Sequence, residues 1–316
     1  MATETEGQGL AAPDSDVVIG TTGGFKDRVL LWTDDHLKWL LTLPSVVILF
    51  ALTFYPLLRA LEMSTKRFLP ANRQVFVGIE NYTGLLANET FITSLGVTAK
   101  FIGLAVGLEF LLGFGIALLL NKKLKFRGLW QTLILIPMIL SPTVIGLIWR
   151  LLYTPDGLLD YIANATGLVT GNVGWISEPS IALYSVILTD VWQWTPLVVL
   201  VMFAGLQSIP SHVREAAIMD GAGPFQRFRD ITLPYLQSLI VLVLIIRVVD
   251  ALRVFAKVFI LTRGGPADST NVVSMEMYRT AFRFSSFGEA SAMAVSLLVV
   301  VLILAMTFVK TVGVEF

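Results

Sequence analysis

Six charged residues, Lys100, Glu109, Arg247, Asp250, Arg253 and Lys257, interrupt stretches that are otherwise apolar, and a seventh charge sits in an unusual cluster. That cluster, Asp190-Val191-Trp192-Gln193-Trp194-Thr195-Pro196, brings a carboxylate, an amide and two indoles into one hydrophobic segment. Aromatic platforms beside forked hydrogen-bonding groups suit a ligand with apolar C–H faces and a rim of hydroxyls, as a sugar ring has. The competing role for Trp192 and Trp194 is plain packing or anchoring at a membrane interface. Arg247, Asp250, Arg253 and Lys257 fall within about a 120° stripe if the segment is one helix. Facing lipid at mid-depth each would cost about 2.5–3.5 kcal/mol, so they must face protein or water. The i,i+3 spacing lets Arg247 pair with Asp250, and Lys257 lies near enough to a segment end to snorkel outwards. The stripe reads either as the polar wall of a path through a membrane, the role favoured for Arg253, or as a structural ion-pair network, the role favoured for Arg247 and Asp250. Lys100 and Glu109 point nearly opposite ways on a shared helix; a packing role is favoured for Glu109 over pairing with a basic residue of the later segment.

Other chemistries are poorly served. Asp190 and Asp250 lie on consecutive apolar segments, as an intramembrane aspartyl protease would require, but that reaction needs two carboxylates sharing one proton. Arg247 and Arg253, each within a turn of Asp250, favour its ionised form, and the Gly-x-Gly-Asp signature is missing. The sequence holds no cysteine and only two histidines, His36 and His212, which leaves no thiolate or histidine-rich metal site. No Gly-x4-Gly-Lys-Ser/Thr phosphate loop occurs, so no cofactor is expected on this chain.

The elements that must position these residues are membrane helices. Hydrophobic residues make up 55% of the chain and charged residues 15%, too few charges to cover a water-soluble domain of this length. The 23 basic and 23 acidic residues cancel, which argues against a nucleic-acid partner. Six stretches reach the roughly 20 apolar residues needed to cross a bilayer: 37–61, 97–120, 128–153, 181–207, 235–261 and 288–309. The fold class is therefore all-α, a six-helix membrane domain over 37–316 preceded by a polar, acidic, flexible tail over 1–36 that lacks the pattern of a cleaved signal. Kinks are expected at Pro44, Pro56, Pro137, Pro142 and Pro196. Orientation follows from basic loop residues: Lys122, Lys123, Lys125 and Arg127 follow the second stretch, while the loop after the third carries Asp156, Asp160 and Glu178 without lysine or arginine. That contrast outweighs the basic residues of two other loops, Lys66, Arg67 and Arg73 and Arg263, Arg279 and Arg283, and puts both termini and the polar segment 208–234 in the cytoplasm.

Within that segment Ser211 is expected to cap a short helix bearing Arg214, Glu215 and alanines, and Asp220-Gly221 to end it, glycine supplying a positive φ. A second turn then groups Phe225, Phe228 and Ile231, and Pro234 opens the fifth membrane helix. The pattern Glu215-Ala216-Ala217, Asp220-Gly221-Ala222, Phe228, Ile231 and Leu233-Pro234 resembles at all ten positions the EAA loop of ATP-binding cassette (ABC) importer permeases. The resemblance implies a type I ABC importer permease fold and a coupling role for Glu215, Ala216, Ala217, Asp220, Gly221 and Ala222 against an ATP-hydrolysing subunit. Val77-Gly78-Ile79-Glu80-Asn81-Tyr82, Leu261-Thr262-Arg263-Gly264-Gly265-Pro266 and Gly288-Glu289-Ala290-Ser291-Ala292 are similar to segments of the maltose-type sugar branch. In that branch Trp192 falls where the sugar is stacked and Asp190 where a polar sugar-binding residue stands, while Trp194 replaces a small residue. The implied assembly is a second homologous permease subunit, two ATPase subunits carrying ATP and magnesium, an extracytoplasmic substrate-binding protein and membrane lipid, in a bacterial cell membrane. The implied cargo is a sugar such as trehalose or maltose, with glycerol phosphate or a polyol as the alternative, and the permease itself is not an enzyme.

Overall fold

The computed structural model describes residues 25–69, 73–122, 124–167 and 171–312. In chain order its elements are α1 (Phe25–Ser64), a hairpin of β1 (Lys66–Leu69) and β2 (Arg73–Phe76), α2 (Glu80–Ala87), α3 (Glu89–Leu120), α4 (Arg127–Ile139) and α5 (Pro142–Leu152). There follow α6 (Leu158–Ala165), α7 (Pro179–Ser208), α8 (Ser211–Met219), α9 (Pro224–Arg227), α10 (Leu233–Leu252), α11 (Ala256–Leu261), α12 (Val273–Tyr278) and α13 (Phe287–Val312). The chain divides into two units at Leu57, inside α1. Residues 1–24 of the expected tail lie outside the described residues, and 25–36 are already helical, so α1 begins twelve residues before the stretch that hydropathy marks.

Among the described residues five helices are long and apolar enough to cross a membrane, and a sixth crossing arises if α4 and α5 are taken together. Those two, of 13 and 11 residues, meet at 98°. Each alone is too short for the hydrocarbon, which takes about 20 residues. The break falls at Leu140 and Ser141, with Pro137 in the preceding turn and Pro142 as the first residue of α5, where a missing N–H costs nothing. The other three prolines, Pro44, Pro56 and Pro196, remain inside uninterrupted helices.

The fifth stretch departs from expectation at both ends. Its helix runs from Pro224 rather than from Pro234, through a π-turn at Phe228–Thr232 that lets the chain pass Pro234 without breaking. It then stops at Leu252, and α11 is a separate short helix. The single-helix stripe therefore holds for Arg247 and Asp250 but not for Lys257. No glycine or proline marks this second break; the Ser274 hydroxyl donates to the Val254 carbonyl exposed there.

In the second unit α7 is the hub, packing against α3, α4, α10, α5 and α11. Small residues permit the closest approaches. A Cβ on Gly113 would lie 2.6 Å from Cβ of Val198, and one on Gly205 would lie 2.5 Å from side-chain carbons of Leu236 and Leu239. Two apolar cores result. One gathers Phe101, Ile145, Trp149, Val186, Val258 and Met275, and the other Phe114, Val198, Met202, Leu206, Leu236 and Val243. The hairpin is latched to the end of α1: Asn81 donates to the Ser64 and Lys66 carbonyls at 2.7 and 3.0 Å, and the hydroxyls of Tyr82 and Ser64 are 2.6 Å apart. Gly288 of α13 packs so tightly on the Lys66 carbonyl that a Cβ would overlap it.

Overpacking a tight helix contact costs about 1–3 kcal/mol. Gly113→Val should accordingly lower the thermal midpoint of the detergent-solubilised protein, whereas Gly115→Val, where an added Cβ meets nothing within 4 Å, should leave it unchanged. Equal midpoints would show that α3 and α7 do not rely on this contact.

Candidate functional site

Between the two apolar cores lies a layer of charge. On α3 Glu109 falls between the residues of one core and those of the other, and on α10 Arg247 does the same. Arg247 is 1% exposed and Glu109 0% exposed. The Arg247 Nε and Nη2 donate to the two Glu109 oxygens at 2.7 and 3.0 Å, a bidentate pair. Nη2 also donates to Asp190 Oδ2 at 2.9 Å, and Nη1 to Asp250 Oδ2 at 2.6 Å. The other Asp190 oxygen accepts from the Lys257 ammonium. Trp194 lies under the guanidinium, 4.7 Å from its ring centre. Arg253 reaches Asp250 at 4.0 Å from the exposed side.

Three carboxylates thus face three cations, and the formal charge of the layer is zero. Burying any one alone would be prohibitive, and the fork geometry of arginine is what lets one cation satisfy three acids at once. Four elements, α3, α7, α10 and α11, are tied together by it.

The structure sorts the charged positions differently from the sequence. Glu109, for which packing was favoured, is an ion-pair partner of Arg247. Lys257 does not snorkel: its chain turns at the break after Leu252, and its ammonium is buried against Asp190. Asp190 has both oxygens occupied by cations, so it belongs to the network and offers no lone carboxylate to a ligand. Asp190 and Asp250 each take a separate nitrogen of Arg247 rather than sharing a proton with one another. Arg253 is the most exposed member, with Asp250 partly exposed beside it. Lys100 sits away from the layer, over the ring of Tyr184 at 4.7 Å.

The two tryptophans face different surroundings. Trp192 is half-exposed, meets Trp149 edge to face at 5.8 Å, and lines a groove of about 380 Å³ with Leu112, Ile116, Pro137 and Leu188. Between them Gln193, buried, donates its amide to the Leu140 carbonyl at 3.2 Å, satisfying a backbone group that the α4–α5 break frees. Its Oε1 has no hydrogen-bond partner among the described residues. In sequence the Gln193 amide counts among groups suited to a ligand; nothing local signals a carbonyl 53 residues away.

At the other end of α7, Pro210 rather than Ser211 is the N-cap of α8, and the Ser211 hydroxyl makes no cap. The C-terminus closes as expected. Gly221 has φ +75°, its N–H donates to the Ile218 carbonyl at 3.0 Å, and the Ala222 N–H donates to the Ala217 carbonyl at 2.9 Å, the paired bonds of a Schellman motif. Ala217 packs inwards, while Glu215, Ala216, Ile218, Asp220 and Gly221 are exposed and Met219 is 87% exposed. Phe228 packs on Phe114 at 5.8 Å and Ile231 joins the same core, but Phe225, expected to group with them, points away into the surroundings.

Removing one member of a buried ion group strands the others, at about 3–5 kcal/mol. Arg247→Met should therefore lower the thermal midpoint sharply, and adding Glu109→Met should recover part of that loss. If the double variant were as unstable as the sum of its parts, the two residues would not act as a pair.

The sequence matches, over residues 109–312, the family described as binding-protein-dependent transport system inner membrane component. It is 35% identical over 285 residues to the trehalose/maltose transport system permease protein MalF of Thermococcus litoralis, covering 89% of this chain and 94% of the relative. It is 31% identical over 280 residues to the trehalose transport system permease protein SugA of Mycobacterium tuberculosis, covering 88% and 89%. Among solved structures it resembles a bacterial ABC transporter involved in the import of the acidic polysaccharide alginate, with a TM-score of 0.76 at 24% identity, over 90% of this chain and 98% of that one. A bacterial alginate ABC transporter in complex with an alginate pentasaccharide-bound periplasmic protein aligns with a TM-score of 0.74 at 24% identity, over 88% and 95%. Membrane-length helices and these matches agree: the chain belongs to the family of inner membrane components of binding-protein-dependent transport systems, the permeases of ABC importers.

Proposed function

We propose that this permease forms half of the pathway of a sugar importer, a disaccharide of the trehalose or maltose kind being its cargo. The relatives named for trehalose and maltose support the substrate class, as does the half-exposed indole of Trp192 in a groove with apolar walls. A second homologous permease supplies the other half. ATP and magnesium stay on two separate ATPase subunits, and an extracytoplasmic binding protein delivers the sugar. Both termini and α8 face the cytoplasm.

The observation that carries this reading is α8 itself. Its end is locked by two capping hydrogen bonds, and it presents exposed Ile218 and Met219 beside the carboxylates Glu215 and Asp220. An isolated cytoplasmic helix has no reason to leave such apolar side chains in water; a protein partner does. Glu215, Ala216, Asp220 and Gly221 form the contact with the ATPase, while inward-packed Ala217 and partly covered Ala222 hold the helix to its base. From Phe228 the helix runs 19 residues to Arg247, about 28 Å, so a push on α8 arrives at the charge layer as movement of one rod. The network then passes it to α3, α7 and α11 together, which suits alternating access by rocking of a rigid body.

Gly221→Val places a β-branched side chain at φ +75° and should cost most ATPase co-purification and uptake of labelled trehalose. Undiminished assembly and uptake would remove α8 from the coupling role. Trp192→Ala should lower trehalose or maltose uptake while the ATPase still co-purifies; unchanged uptake kinetics would exclude the indole from the path.

A further inference from the structure

Six aromatic rings run in unbroken contact from the extracytoplasmic-side hairpin to the helix break beside Arg253. Phe68 of β1 meets Phe287 at 5.8 Å, Phe287 meets Phe282 at 6.4 Å, and Phe282 meets Tyr278 at 5.2 Å. Tyr278 touches both Phe255 and Phe259 at 5.3 Å, and those two stack at 5.3 Å. None of the six is buried, and Phe282 is 69% exposed, whereas core rings such as Phe101 are sealed at 0%. A π-turn at Arg279–Arg283 carries Phe282 outwards. Phe255, Tyr278 and Phe282 line an open groove of about 350 Å³ together with Ala281, Ala290, Ala294 and Ser291.

We infer that this ladder is a carbohydrate-guiding track, along which pyranose rings pass by stacking from the outer mouth towards the helix break after Leu252. The inference rests on the sugar reading above. Three features separate it from other uses of aromatic residues. An interfacial belt is built from scattered Trp and Tyr at one depth, but these rings are five Phe and one Tyr joined in a line. A packing cluster would bury all its rings; Phe255, Phe259 and Tyr278 rest partly covered on the core, but Phe282 and Phe287 stand exposed. Small lining residues leave room for a flat ring, and the Ser291 hydroxyl offers a hydrogen-bond partner along the edge. Stacking on successive rings is direction-free and weak at each step, which lets a ligand move rather than lodge.

The test uses the full importer complex in proteoliposomes, with its binding protein and labelled trehalose or maltose as the probe. Phe282→Leu combined with Tyr278→Leu keeps an apolar surface but removes both rings, and should lower the initial uptake rate about tenfold. Phe282→Trp with Tyr278→Phe keeps stacking and should stay within about twofold of wild type. Binding-protein-stimulated ATP hydrolysis should be the same in all three. Wild-type uptake by the leucine pair would overturn the track while leaving the sugar reading intact. Loss of stimulated ATP hydrolysis in the leucine pair would instead make the ladder a docking or subunit contact, and also overturn it. If the wild-type complex carried neither labelled sugar, the sugar reading would fail first and the track with it.

Discussion

The bidentate contact between Arg247 and Glu109 is the interaction on which the bundle depends. Both groups are sealed from solvent on membrane-crossing helices, where neither could be left unpaired. Glu109 alone does not neutralise what surrounds it, because Asp190 and Asp250 also converge on the guanidinium and Lys257 closes the account of charge on Asp190. The layer can exist only with α3, α7, α10 and α11 in their places, and those helices are confined to their places by it. Apolar packing above and below is non-directional and would tolerate sliding; the charge layer, with its fixed fork geometry, does not.

Broken helices make that arrangement reachable. Lys257 could not turn its ammonium to Asp190 from a continuous fifth helix, and the stop after Leu252 frees it to do so. The α4–α5 bend brings Gly146 against Ile260 and lets Arg150 donate to the Ile260 carbonyl at 3.1 Å, which holds α11 from its other side. Each break exposes backbone groups that a membrane interior cannot solvate, and side chains from elsewhere supply the missing partners: Gln193 for Leu140, Ser274 for Val254. Irregular backbone therefore gathers around the charge layer, where protein surrounds it. Before its own break the fifth helix is regular by comparison: from Pro224 to Leu252 it has a π-turn but no stop.

Much of this was legible beforehand. Six apolar stretches of the right length were visible in hydropathy, since crossing hydrocarbon imposes a composition that no soluble helix needs. The end of α8 was visible in Asp220-Gly221, because a left-handed residue at a helix C-terminus is a local demand that glycine meets locally. The pairing of Arg247 with Asp250 followed from i,i+3 spacing, which any helix satisfies without help. Less local readings fared worse. The role of Ser211 failed because Pro210 already sets the entry into α8, and Phe225, expected beside Phe228 and Ile231, stands exposed before the π-turn begins.

By itself, then, the sequence determined the membrane-spanning class, the positions of the apolar stretches, the charges that could not face lipid, and the capped helix between the fourth and fifth stretches. These are properties of single segments, dictated by solvent and by backbone geometry over a few residues. Only the tertiary structure decided that Glu109, Asp190, Arg247 and Lys257 are one network, that the fifth helix ends at Leu252, and that six aromatic rings from β1, α11, α12, the π-turn and α13 form a line. The reason is physical: a buried charge requires a partner but does not specify which, and the choice among distant candidates is made by how the helices pack.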